Sequence, residues 1–175
     1  MHDLRYPIGR YEWPTTAVPR SQRERWLPEV AAAPPAMRAA TVGLTDAQLD
    51  TPYRPGGWTV RQVAHHVPDS HVQAYIRFKL ALTEDEPRIK AYFEDRWAEL
   101  PDSRGSIEPA LAMLEAVHLR WLDLMAGMTE TDWSRTFFHP EHDRLLRLDA
   151  TLGLYAWHGK HHVAHVLRLR EREGW

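Results

Sequence analysis

The stretch IEPALAMLEAVHLRWLDLMAGM, residues 107–128, decides the fold class. Within it Ala110, Leu114, Val117, Trp121, Leu124 and Met128 recur in alternating steps of four and three. Side chains at that spacing share one face of an α-helix, so the run predicts a helix from Ile107 to about Gly127 with a continuous apolar seam. Working outward, the same period returns twice. Trp26, Val30, Ala33 and Met37 predict a helix from Ser21 to near Gly43, with Pro34-Pro35 expected to kink or briefly break it. Val63, Val67, Ala74, Phe78 and Leu82 predict another from Thr59, the expected N-cap, to Leu82. Inside it Pro68 removes a backbone donor, frees the Ala64 carbonyl and bends the helix beside His65 and His66. The last helix runs from about Asp149 to Glu173 and stops at Gly174.

The connections are long. Residues 1–20, with Pro7, Pro14 and Pro19, read as an extended arm lying across the bundle surface. Thr45 to Gly57 is rich in turn formers and closes on Pro55-Gly56-Gly57. Thr83 to Gly105 is charged, carries two prolines and is too long for a turn between antiparallel neighbours, which implies a crossover or a functional loop. Arg135 to Leu148 fits a short hairpin. These elements predict an all-α four-helix bundle with long connecting loops, a single domain over residues 1–175; such bundles build metal and cofactor sites from side chains on facing helices.

Composition narrows the function. A chain of 175 residues that is 43% hydrophobic suffices for one core. Its formal charge, 22 minus 24 or -2, gives no diffuse positive field for nucleic-acid phosphates or anionic lipid, so neither partner is expected. The N-terminus lacks a basic start and apolar core, and no uncharged run would cross a bilayer, so a cytoplasmic protein is expected. There is no cysteine, which excludes disulfides, thiolate ligands and a cysteine nucleophile; any sulfur chemistry needs a thiol from outside.

Eleven histidines stand out against this background. His158 and His162, four residues apart, project from one helical face and could share one ion. His161 and His165 form a second pair at the same spacing, on a face rotated by about 100° per residue. Spacing leaves both registers open, and an ordinary exposed helix would show the same pattern. A His-Glu-x-x-His protease helix is disfavoured, because Gly159 follows His158 and the general base is missing. His66 belongs to a polar stripe with Gln62, Asp69, Ser70, Gln73 and Arg77, which reads equally as a solvated face. His118, off the apolar seam, reads as a partly buried hydrogen-bonding residue, and His2, His139 and His142 as loop residues. Trp26, Trp121 and Trp157 read as core or rim packing.

Four stretches resemble a known family: Tyr6-Pro7-Ile8-Gly9; Tyr53 through Gln62 leading to His65-His66; Tyr75-Ile76-Arg77-Phe78-Lys79; and Trp157-His158 through His162. Together, over nearly the whole chain, they resemble the YfiT-like branch of the DinB superfamily. The resemblance implies an up-down-down-up bundle, often a homodimer, with one divalent metal ion, zinc or nickel, on three histidines. By motif these are His66, eight residues after Trp58, with His158 and His162, which selects the register that spacing left open. Pro68 departs from the family pattern, where a helix former is usual, and puts the local geometry around His66 in question. Members are described as metal-dependent hydrolases, and better characterised relatives as thiol S-transferases using bacillithiol. The resemblance thus implies first a transferase that passes a low-molecular-weight thiol to an electrophilic small molecule. A hydrolase whose metal lowers the pKa of a water nucleophile stands second, and a non-enzymatic, metal-braced stress-response module third. Gln62, Asp69 and Gln73 are the residues expected to orient the ligands, because imidazole ligands donate their free N–H to an oxygen.

Overall fold

The computed structural model describes residues 3–175, and His2 lies outside them. Among the described residues the chain order is α1 (Arg20–Thr41), α2 (Asp46–Leu49), α3 (Val60–Thr83), α4 (Glu94–Trp97), a 3-10 turn at Pro101–Arg104, α5 (Glu108–Ala126), α6 (Glu130–Ser134), β1 (Thr136–His139), β2 (Arg144–Arg147) and α7 (Leu148–Glu173). The four long helices and the antiparallel hairpin, paired from Thr136↔Arg147 to His139↔Arg144, stand where the periodicity and turn signals place them. α3 begins on a capping box: the Thr59 hydroxyl accepts from the Gln62 N–H while the Gln62 side chain accepts from the Thr59 N–H. α7 ends at Gly174 in the left-handed region, φ 73°.

Contacts at the helix ends fix the directions. Val18 N–H, just before α1, donates to Asp149 at the start of α7 (3.2 Å), and Arg170 near the end of α7 donates to the Ala40 carbonyl (3.0 Å), so α1 and α7 run parallel. Arg38 near the end of α1 pairs with Glu108 and Glu115 of α5 at 2.9 and 2.8 Å, so that pair is antiparallel. After α3 the chain returns along the helix. Arg61 in the first turn of α3 donates to the Gly105 carbonyl (3.0 Å) and Gln62 to the Ala98 carbonyl (2.9 Å), so α5 starts where α3 started and runs parallel to it. The order is up-down-down-up, and residues 84–107 are the crossover that it requires.

Two apolar clusters fill the bundle. One contains Phe78, Trp121, Phe137, Leu148 and Leu152, and the other Met37, Val60, Val63, Leu114 and Leu169. Between them, at matching heights on three helices, lie His66 and His71 of α3, His118 of α5, and His158 and His162 of α7. A layer of imidazoles thus interrupts a hydrocarbon core, and each ring there needs a polar partner.

Several expectations change. α1 is unbroken through Pro34 and Pro35 and contains Pro28 as well. His139 ends β1 and is buried instead of lying in a loop. His118 is buried outright, because the polar layer, not the surface, is its environment. The stripe on α3 is not a solvated face: His66, Ser70 and Arg77 are buried, since α7 and the returning crossover cover them. The arm runs along α7, held by Tyr11 on the Ala150 carbonyl (2.8 Å) and Trp157 on the Gly9 carbonyl (3.2 Å).

Candidate metal centre

His66 projects from α3 towards α7, where His158 and His162 stand one turn apart. One nitrogen from each ring lies within 4.8 Å of the others. His66 Nε2 and His158 Nε2 are 3.3 Å apart. Two imidazole nitrogens about 2.0–2.1 Å from one ion stand roughly 2.8–3.4 Å apart at octahedral to tetrahedral angles, so this edge suits a shared divalent ion. Burial, reinforced by neighbouring imidazoles, holds the rings neutral: His66 is pushed down to about 4, and His158 and His162 well below the ordinary value. Neutral imidazole is the metal-binding form.

His161 and His165, the competing register, face elsewhere. His161 stacks on Trp157 with ring centroids 4.3 Å apart; His165 stacks on Tyr53 at 3.9 Å, and its Nε2 lies 3.1 Å from the Arg5 carbonyl. Both hold the arm and the Tyr53–Trp58 turn against α7. Gly159 lies on the side of α7 that meets α1: an added Cβ would stand 2.8 Å from the Ala33 Cβ. That contact leaves no room for the glutamate of a His-Glu-x-x-His helix.

Among the described residues, no hydrogen bond joins Gln62, Asp69 or Gln73 to an imidazole. Gln62 is committed to the α3 cap and the crossover. Asp69 is half-buried, and burial together with Asp102 of the crossover pushes its carboxyl up to about 6. The groups that meet the ligands are other histidines. His71 Nε2 lies 3.1 Å from His158 Nδ1, and His165 Nδ1 lies 3.4 Å from His162 Nδ1. His71 falls off the stripe that contains His66, so periodicity along α3 does not connect them.

His162, together with His161 and His165, borders a cleft of about 260 Å³, walled by Arg5, Arg54, Trp58, Glu94 and Asp95 from the arm, the turn and the crossover. The long loops therefore build the approach to the rings. No described helix is long and apolar enough to cross a membrane.

Bundle and ring cluster together define a four-helix protein equipped to hold a divalent metal on three histidines. The sequence profile of the DinB superfamily matches residues 29–166, and the chain belongs to that family. A relative from Bacillus mycoides (strain KBAB4), named "Putative metal-dependent hydrolase", is 50% identical over 175 residues, 100% of both chains; one from Bacillus cereus (strain 03BB102) with the same name matches equally. The solved structure of YfiT from Bacillus subtilis, described as "a probable metal-dependent hydrolase with an unusual four-helix bundle topology", matches with a TM-score of 0.95 over 98% of each chain at 45% identity. TT2238, "a four-helix bundle protein", shares the fold: TM-score 0.58, 23% identity, 87% of this chain and 99% of that one.

Proposed function

We propose that this chain is a metal-dependent enzyme that holds one divalent ion, zinc or nickel, on His66, His158 and His162, and transfers a low-molecular-weight thiol such as bacillithiol to an electrophilic small molecule. The observation that carries the reading is the meeting of three imidazoles beside a cleft, with no fourth ligand grouped with them among the described residues. Structural zinc sites close with a fourth protein ligand, whereas catalytic sites leave a position for substrate. When bound, the ion would supply the Lewis acidity that favours the deprotonated form of a thiol or a water.

The chain's own residues favour a thiol. The rings are packed by imidazoles and the Trp58 indole, and the carboxylates of the cleft, Glu94 and Asp95, are exposed. Among the described residues no carboxylate hydrogen-bonds to the three rings, and a nucleophile whose own pKa is about 8.5 needs the smaller shift. The chain has no cysteine, so the sulfur would arrive with the cosubstrate. Arg5 and Arg54 opposite Glu94 and Asp95 give the cleft both signs of charge, which suits a small polar ligand.

Hydrolysis is the second reading, favoured by the names its relatives carry at 50% identity. Thiol consumption with a panel of electrophiles, run beside ester and amide hydrolysis in the zinc- and nickel-loaded protein, separates the two. Thiol-dependent turnover supports the transferase. Hydrolysis without thiol would replace it with the hydrolase, and no turnover with unfolding on chelation would leave the metal a structural brace.

A further inference from the structure

Behind His158, on the side away from His66, polar groups stand in line through the middle of the bundle. His71 Nε2 lies 3.1 Å from His158 Nδ1, and His71 Nδ1 lies 2.7 Å from His118 Nε2. His71 is 0% and His118 2% exposed. His118 Nδ1 is buried and makes no hydrogen bond of good geometry, and the Val30 carbonyl of α1 is the backbone acceptor that bears on this ring. That carbonyl is free for a reason visible in the sequence: the helical donor four residues on would be Pro34, which has no N–H.

A neutral imidazole has one N–H and one lone pair, so each contact in this line fixes the next. The Val30 carbonyl gives a proton on the buried His118 Nδ1 an acceptor to turn to, and with the proton there His118 Nε2 is the acceptor. His71 then carries its proton on Nδ1, and its Nε2 must accept from His158 Nδ1. The lone pair left on His158 is at Nε2, the atom that faces His66 Nε2 at 3.3 Å.

We infer that His71 and His118 are positioning residues, a neutral chain that starts at a proline-freed carbonyl, holds His158 as its Nδ1–H tautomer and aims its Nε2 lone pair at the metal. The inference rests on the metal site proposed above. A shorter chain gives His162 the same support: His162 Nδ1 faces His165 Nδ1 at 3.4 Å, and His165 Nε2 faces the Arg5 carbonyl at 3.1 Å. Metal-bound histidines commonly donate to a carboxylate, a carbonyl or water. Here both chains end on carbonyls, which orients the ligands without placing a negative charge behind them.

Long-range 1H–15N correlation spectra of the zinc-loaded, 15N-labelled protein read the tautomer of each ring. The expected result is a protonated Nδ1 on His158, His71 and His118; a protonated Nε2 on His71 overturns the inference. Zinc affinity, measured by chelator competition, is the second readout. His71→Phe keeps an aromatic ring but offers no acceptor, and should bind zinc about 10–100-fold more weakly. Wild-type affinity in His71→Phe overturns the positioning role. If that variant does not fold, the tautomers of the wild type still decide. Failure of the metal site itself looks different: His158→Ala would then bind zinc as tightly as the wild type, and the inference would fall with it.

Discussion

On α7 the pair His158/His162 faces α3, whereas His161/His165, about a sixth of a turn round the same helix, faces the arm and the Tyr53–Trp58 turn. Both pairs have the same residue type, the same four-residue spacing and buried or half-buried rings. Their different surroundings follow from what packs opposite. Where α3 presents His66, three ring nitrogens converge; where the arm presents Tyr6 and the Arg5 carbonyl, the rings stack and hydrogen-bond. Spacing on one helix can establish that two side chains share a face, but the facing element decides what that face does.

The broadest way to break this contrast is acid, which acts on both pairs. Burial is the first cause that lowers His66, His118, His139 and His165 to about 4 and His161 to about 3. Each is depressed in the fold, so the unfolded chain binds more protons at moderately acid pH. The associated stability is therefore complete above about pH 6.5 and is lost as pH falls towards 4, each ring contributing at most about 1.4 kcal/mol per pH unit. The urea midpoint of the metal-free protein should fall steadily from pH 7 to pH 5. A midpoint independent of pH over that interval would contradict the burial of these rings.

Gly159, on the side of α7 that meets α1, gives the next largest effect. Gly159→Ala places a methyl 2.8 Å from the Ala33 Cβ, so α1 and α7 must separate. The expected cost is about 1–3 kcal/mol of unfolding free energy, despite the gain in helix propensity, measured by urea denaturation. A variant as stable as the parent would show that the helices yield freely there.

His165→Ala should have a smaller and divided effect. It removes the stack on Tyr53, the contact to the Arg5 carbonyl and the partner of His162 Nδ1. Faster amide exchange in residues 3–10 is expected, with zinc binding weakened by roughly tenfold. Unchanged exchange in the arm would contradict the holding role. His161→Ala should do least, costing about 1 kcal/mol for its lost stack on Trp157 and leaving zinc affinity unaltered.

The sequence makes one side of this comparison easier to read than the other. The helices are legible because their apolar residues keep the 3.6 period, and the long charged run after Thr83 correctly signals a crossover. His158 and His162 are legible as a pair. Their connection to His66 comes from the family resemblance, since nothing local to α3 distinguishes a ligand stripe from a solvated one. The His71–His118 contact spans 47 residues and two helices, so no periodicity reports it. Polar residues at i+3 and i+7 from His66 look like natural partners on paper, yet among the described residues neither Asp69 nor Gln73 hydrogen-bonds to an imidazole, and Asp69 feels the charge of Asp102 in the crossover. Pro34 carries a signal of its own: a proline inside a helix frees a carbonyl, and a buried donor can use it.

Metal content tests the central claim most directly. Each of His66→Ala, His158→Ala, His162→Ala, His161→Ala and His165→Ala would be equilibrated with zinc, passed through a desalting column and assayed by mass spectrometry for zinc per chain. The expected result is one zinc per chain in the wild type and in His161→Ala, reduced retention in His165→Ala, and near-complete loss in His66→Ala, His158→Ala and His162→Ala. Full zinc in any of the last three would remove that residue from the site, and loss in His161→Ala with full retention in His158→Ala would reverse the register altogether.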